Sequence, residues 1–312
     1  MAEVDIRDLN LSTLNGISEC IKNTDRAYMA SIERMASALV EKNARIVLLA
    51  GPSSSGKTTT ANILKDYLSK NGHKTVVISM DNFYRDKDDP IYPREEDGDL
   101  DFESVHALHT DKINDCLAHL IKGEDVKIPR YIFSEGTYEE NAIHLSVPKD
   151  GFVIMEGIHA LNPLIIDGLE RDKIVKLFIS VSTNVNENGK RILSGRKIRF
   201  IRRMTRDSLY RGTSAAETLR RWESVLAGED NYLYPFKNTA DLSINTFHRY
   251  ELGALKPFAE KAIAASGKEL KGDYIETIIS ALSKALPIDA ELVPETSLIR
   301  EFIPGGIYEE LY

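Results

Sequence analysis

The apolar run Ile46-Val47-Leu48-Leu49-Ala50 has no polar position to turn toward water, so it predicts a strand buried on both faces. The pattern then changes period. Residues 57–70 read as a helix closed by Asn71-Gly72, 75–80 as a second strand, and Ser104 to Lys122 as a helix closed by Gly123. Strands follow at Phe152 to Met155 and Ile174 to Ile179, then a strongly basic helix over about 196–210 and a last strand at Asp241 to Asn245. Such alternation predicts a parallel sheet covered by helices, an α/β fold. Upstream, Tyr28, Ile32, Met35 and Leu39 recur at helical spacing, which predicts a helix from Thr24 to Glu41 capped by Thr24 or Asp25. Around residues 126–147, Pro129, Gly136 and Pro148 flank short β-prone pieces, the mark of a small antiparallel flap able to cover a substrate. Residues 82–103 are acidic and broken by prolines, an irregular loop of a length that often carries function.

The turn after the first apolar run reads Gly51-Pro52-Ser53-Ser54-Ser55-Gly56-Lys57-Thr58, a complete phosphate-binding signature in the strand–loop–helix setting that it requires. Glycines at both ends let the backbone N–H groups of Ser53, Ser54 and Ser55 turn inward as an anion nest, at a helix start whose dipole also favours phosphate. Lys57 then reaches the β- and γ-phosphates, Thr58 offers its hydroxyl to Mg²⁺, and Thr59 continues the cradle. A nucleotide is therefore the first ligand to consider.

Composition narrows the partners. The chain has 312 residues, 42% of them hydrophobic, enough to bury a substantial core, and its net charge of −8 and pI near 5.5 argue against a nucleic-acid surface spread over the molecule. Cys20 and Cys116 stand in no paired motif, so neither a disulfide framework nor a zinc site is expected, and the histidines lack metal-ligand spacing. No stretch reaches 18 apolar residues and the start lacks a basic-then-apolar leader, so the expected place is the cytoplasm, away from the membrane. Subunit number is not encoded in any motif, and a homo-oligomer stays open.

Acidic and basic side chains fall where such a loop would use them. Asp81 follows the strand ending at Met80, at the carboxyl edge where open α/β sheets bind ligands; an ionised carboxylate there can take the proton of a hydroxyl attacking a γ-phosphate. Glu156 ends the run Phe152-Val153-Ile154-Met155, a second acid at a strand end that can hold Mg²⁺ directly or through water. Arg199, Arg202, Arg203 and Arg206 lie at i, i+3, i+4 and i+7, which places four guanidinium groups on one helix face. Crowded like charges call for a polyanion or for internal acids; a lid closing on ATP is one such arrangement, and Arg211 before Gly212 can join it. Phe83, Tyr84, Tyr131, Phe133 and Tyr138 lie near the expected mouth, where a planar ligand would stack.

In these motifs together, the chain resembles the uridine kinase and phosphoribulokinase family over about residues 45–257. The matching segments are 51–59, Ser79-Met80-Asp81-Asn82-Phe83-Tyr84-Arg85, Ile154-Met155-Glu156-Gly157-Ile158-His159-Ala160, 202–207 with Arg211-Gly212, and Thr239-Ala240-Asp241. The tail Ser297-Leu298-Ile299-Arg300-Glu301-Phe302-Ile303 looks like one in bacterial uridine-kinase-like proteins. The resemblance implies Asp81 as catalytic base, Tyr84 as a substrate-side aromatic, Glu156 as the magnesium-associated acid, and Arg203, Arg206 and Arg211 as lid arginines. Glu103 matches the acid that holds ribose hydroxyls, with Asp101 beside it. Departures gather on the acceptor side: Ile132 stands where an Asp is expected, Gly136 where eukaryotic-type members have a base-contacting His, and Thr213 where they have an arginine.

The expected architecture is a three-layer P-loop NTPase fold, α/β with a parallel sheet, an antiparallel flap and an arginine-rich lid, divided as a helical extension 1–44, a kinase domain 45–266 and a helical extension 267–312. The expected activity is an ATP- and Mg²⁺-dependent kinase acting on uridine or cytidine. The alternatives are a kinase of another polyol or sugar-like alcohol, and a nucleotide-binding regulator without turnover. A GTPase switch would need an Asn-Lys-x-Asp segment, which the chain lacks.

Overall fold

The computed structural model of the protein describes residues 2–95 and 97–311. Along the chain, β1 (Ala2–Asp5) leads into α1 (Ile6–Glu41), followed by β2 (Ile46–Ala50), α2 (Lys57–Lys70) and β3 (Thr75–Ser79). Next come α3 (Thr110–Lys122), β4 (Val126–Ile132), β5 (Thr137–Leu145), β6 (Phe152–Glu156), β7 (Ile174–Ser180), β8 (Thr183–Glu187) and β9 (Lys190–Leu193). The chain closes with α4 (Gly195–Tyr210), α5 (Ala215–Tyr232), β10 (Leu242–Asn245), α6 (Glu251–Ser266) and α7 (Asp273–Lys284).

Five parallel strands form the central sheet in the order β10-β7-β2-β6-β3. Every residue of β2 is buried because successive side chains feed two different cores. Val47 and Leu49 pack with α1, α2, α4 and α6; Ile46, Leu48 and Ala50 pack with α3 and β4. The result is three layers, helix–sheet–helix. In register, Leu49 sits opposite Glu156, which sits opposite Ser79, so three strand ends form one row. Because β6 enters between β2 and β3, its terminal acid lies between the phosphate loop and Asp81.

The flap is the antiparallel pair β4–β5, with a register shift between Ile128 and Arg130 where Pro129 removes a ladder donor. Two other elements differ from the sequence reading. Helix α1 runs back to Ile6, capped by Asp5, which accepts from the Arg7 N–H at 2.9 Å; Gly16 breaks its helical dihedrals part-way. Asp25, the expected cap, instead lies inside the helix and accepts from the Tyr250 hydroxyl at 2.6 Å. Ser104 caps only the short turn Val105–Ala107, and α3 begins at Thr110. A second, three-stranded sheet, β1-β8-β9, had no counterpart in the periodicity. Its hairpin turns at Asn188-Gly189, both with positive φ, as a tight two-residue turn requires. After α7, Pro287, Pro294 and Pro304 restrict the chain to short 3₁₀ turns that return it to α2. Among the described residues no helix is long and apolar enough to cross a membrane.

Candidate active site

The two glycines of the phosphate loop are needed for different reasons. A Cβ on Gly51 would stand 2.5 Å from the Ile179 carbonyl oxygen of β7, and Gly56, at φ +93°, also faces Leu298 so closely that a Cβ would lie 2.6 Å from its Cδ1. The loop is held from behind. Ser53 donates its N–H to Glu229 Oε1 at 2.9 Å and accepts at its carbonyl from Arg199 Nη1 at 2.8 Å, while the Ser55 carbonyl accepts from the Thr246 hydroxyl at 2.7 Å. Ser54 and Ser55 keep buried hydroxyls with no hydrogen-bond partner among the described residues, polar atoms suited to phosphate oxygens.

The four-arginine face divides in two. Arg199 makes a bidentate pair with Glu229 at 2.6 and 2.7 Å, and Arg202 pairs with Glu251 through Nε at 3.0 Å; all four side chains are almost wholly buried. These two guanidinium groups are spent on internal acids, and only the other half of the face is available to a ligand. Arg203 Nη1 donates to the Ser53 hydroxyl at 2.8 Å. Asp207, itself buried, gathers the expected lid residues: Arg203 at 3.3 Å, Arg206 at 2.8 Å and Arg211 at 3.7 Å. One carboxylate thus holds three positive groups beside the loop without neutralising them all.

The acids converge from the other side. Thr58 Oγ1 lies 3.4 Å from Glu156 Oε1, so the two expected metal-side groups meet. Burial, with Asp81 and Glu301 adding to it, pushes the Glu156 carboxyl up to about 7, against the pull of Lys57 and a hydrogen bond from Ser79. Asp81 is the second residue of the turn Met80–Phe83 that follows β3, its N–H donating to the capping Ser79 hydroxyl at 3.3 Å. The Asp81 residue is exposed to solvent, yet the protein packed around its carboxyl raises it above the ordinary range; Lys57, Arg211 and Arg206, in that order, pull it back. Lys57 rests against the Pro52 carbonyl at 3.3 Å. Lys57, Thr58, Asp81, Glu156, Arg206 and Arg211 therefore lie within reach of one another's charge or hydrogen bonds at the edge of the sheet.

On the far side, Tyr84, Tyr131 and Phe133 form an aromatic cluster with centroids 4.9 to 6.1 Å apart. The Tyr84 hydroxyl is already used, donating to the Phe102 carbonyl at 2.9 Å, and Phe133 is 62% exposed, so an apolar ring faces outward. Phe83 lies instead in the core, and Tyr138 is occupied by Lys112 and His109. Glu103 borders a cleft of about 570 Å³ whose wall also includes Glu95, Asp97, Asp101, Ser224 and Asn231. Burial pushes Glu103 up to about 7, opposed by Arg203 and reinforced by Glu229, Asp81 and Asp101. Gly136 closes the flap turn at φ +76°, a backbone conformation that strains the histidine of eukaryotic-type members, and a Cβ there would also make Lys87 move aside, its Cδ lying 2.2 Å away.

Sequence reasoning missed Glu229, Glu251 and Glu301, which act over 30, 49 and 242 residues and leave no local signal. Asp207 had one: it stands four residues from both Arg203 and Arg211.

The sequence pattern of the phosphoribulokinase / uridine kinase family matches residues 46–252. A uridine kinase of Staphylococcus aureus (strain JH9) is 28% identical over 205 residues, which cover 65% of this chain and 88% of that protein. Among solved structures, a possible uridine kinase from Bacillus stearothermophilus aligns at a TM-score of 0.45 and 16% identity, over 70% of this chain and 99% of that one. A D-glycerate 3-kinase from Cryptococcus neoformans aligns at a TM-score of 0.41 and 13% identity, over 64% of this chain and 87% of that one.

Proposed function

Since the chain belongs to the phosphoribulokinase / uridine kinase family, we propose that it uses ATP and Mg²⁺ to phosphorylate a hydroxyl of a pyrimidine nucleoside, uridine or cytidine. The observation that supports this reading is the single row of strand ends, Leu49, Glu156 and Ser79, with Asp81 two residues beyond it and its carboxyl under the influence of Lys57. Phosphoryl transfer asks the protein chiefly for positioning and charge. Asp81 takes the proton of the acceptor hydroxyl as that oxygen bonds to the γ-phosphorus; the bond to the β-phosphate bridging oxygen breaks and ADP departs. Arg203, Arg206 and Arg211, held by Asp207, balance the charge on the transferring group. Thr58 and Glu156 supply oxygen donors of the kind Mg²⁺ takes, and Mg²⁺ bound there neutralises phosphate charge. The loop amides and the Ser54 and Ser55 hydroxyls fit the donor phosphates.

The aromatic cluster of Tyr84, Tyr131 and Phe133 supports a planar base on the acceptor, and Glu103 supports a ribose. A second reading, a hydroxyl-rich acceptor without a base, draws on the acidic wall of Glu95, Asp97 and Asp101. A panel of nucleosides and polyols with MgATP, followed by ADP release, separates them. Uridine or cytidine should stimulate turnover most; a polyol doing so would replace the nucleoside assignment, and nucleotide binding with no stimulation by any acceptor would indicate a regulator.

Acceptor recognition should depend on pH through Glu103. Its carboxyl is raised to about 7, so it is largely ionised at pH 8 and largely protonated at pH 6. The ionised form offers both oxygens as charge-assisted acceptors, whereas protonation turns one of them into a donor, so the acceptor KM should rise by up to about ten-fold from pH 8 to pH 6. Glu103→Gln should flatten that profile. An acceptor KM indifferent to pH in the parent would remove Glu103 from the site.

A further inference from the structure

The tail that follows α7 reaches the phosphate loop. Leu298 and Ile299 are fully buried, Leu298 against Gly56, and this seating delivers Glu301 to the first turn of α2. There Thr59 donates its hydroxyl to Glu301 Oε2 at 2.6 Å and its N–H to the same oxygen at 3.4 Å. The other oxygen, Oε1, lies 3.9 Å from Arg206 Nη1. Glu301 is 4% exposed, so this is a built contact and not a surface encounter.

The location has a physical consequence. The first-turn N–H groups of a helix and a nearby guanidinium are the groups that bind phosphate, and here a side-chain anion already occupies them. We propose that Glu301 is a resident competitor of the donor nucleotide, a carboxylate that sets nucleotide affinity by holding Thr59 and Arg206 until phosphate displaces it. The inference rests on the nucleotide-binding reading above and adds an affinity-setting residue outside the matched residues 46–252. Two like charges cannot share these donors at close range without strong repulsion, so nucleotide entry requires the carboxylate to swing away. The buried anchors Leu298, Ile299, Phe302 and Ile303 keep the tail seated on the core, so the change is local: the turn that carries Glu301 loosens without the tail leaving its seat.

Titration with MgADP, which avoids turnover, tests this on the full chain. Glu301→Gln keeps the size and an acceptor oxygen but removes the charge, and it should bind MgADP about ten-fold more tightly than the parent. Equal or weaker binding by a variant with the parent's melting temperature would overturn the proposal and make Glu301 a positioning residue for Thr59. Should the variant not fold, hydrogen exchange on the parent decides. MgADP should speed exchange of the amides at 299–303 if the tail contact is displaced; slower exchange there overturns the proposal. A parent that binds no MgADP at all sinks the nucleotide reading itself, whereas a parent that binds while the variant fails to tighten sinks only the role of Glu301.

Discussion

Changing Asp81 to asparagine should lower kcat by about a thousand-fold, within the range ascribed to positioned general bases, and leave MgATP binding nearly intact. The amide cannot take a proton from the attacking hydroxyl. It also removes a negative charge from a cleft that must admit a polyanion, so donor affinity should hold or tighten. Lys57, Arg206 and Arg211 all act on this carboxylate, and none of them depends on it for its place: Lys57 leans on Pro52, and the arginines are tied to Asp207. The measurement is single-turnover phosphoryl transfer beside a nucleotide-binding titration. A variant that keeps parental turnover would exclude Asp81 as the base; loss of both nucleotide binding and turnover would make it structural.

The second large effect concerns stability. Glu229→Ala leaves Arg199 charged, buried and without its bidentate partner, and removal of one member of a buried pair costs about 3–5 kcal/mol. For a chain of this size that corresponds to a fall in melting temperature on the order of 10 °C. The same change frees the Ser53 N–H, so nucleotide affinity should fall as well. The double variant Arg199→Met with Glu229→Leu separates the two roles. An apolar pair of similar volume should recover most of the stability, yet it cannot hold the Ser53 N–H and carbonyl, so nucleotide affinity should stay low. Full recovery of both would show that the loop keeps its shape without these contacts.

The parts legible in the chain are those carried by neighbouring residues. The phosphate loop needs two glycines at set spacing between a strand and a helix, and all of its requirements lie within eight consecutive positions. Glu156 was legible because it ends an apolar run and Asp81 because it follows one, and strand ends of a parallel sheet share one edge. The arginine face shows the limit of such reasoning. Helical spacing places Arg199, Arg202, Arg203 and Arg206 on one side of α4, but it cannot distinguish a guanidinium that meets a ligand from one that meets Glu229 or Glu251. The N-terminal strand β1 escaped notice for a related reason: a four-residue strand that pairs with residues about 180 positions away has no periodicity long enough to register.

By itself, the sequence determined the α/β alternation, the phosphate cradle and the identity of the acids at the sheet edge, because hydrophobic period and turn geometry are local properties of the backbone. Only the tertiary structure decided which arginines remain available, that Gly136 holds a left-handed turn packed against Lys87, and that a glutamate from the tail rests on the first turn of α2. Those outcomes depend on which charges are buried together, and burial is settled by contacts between segments far apart in the chain, where the energy of pairing a charge exceeds any local preference.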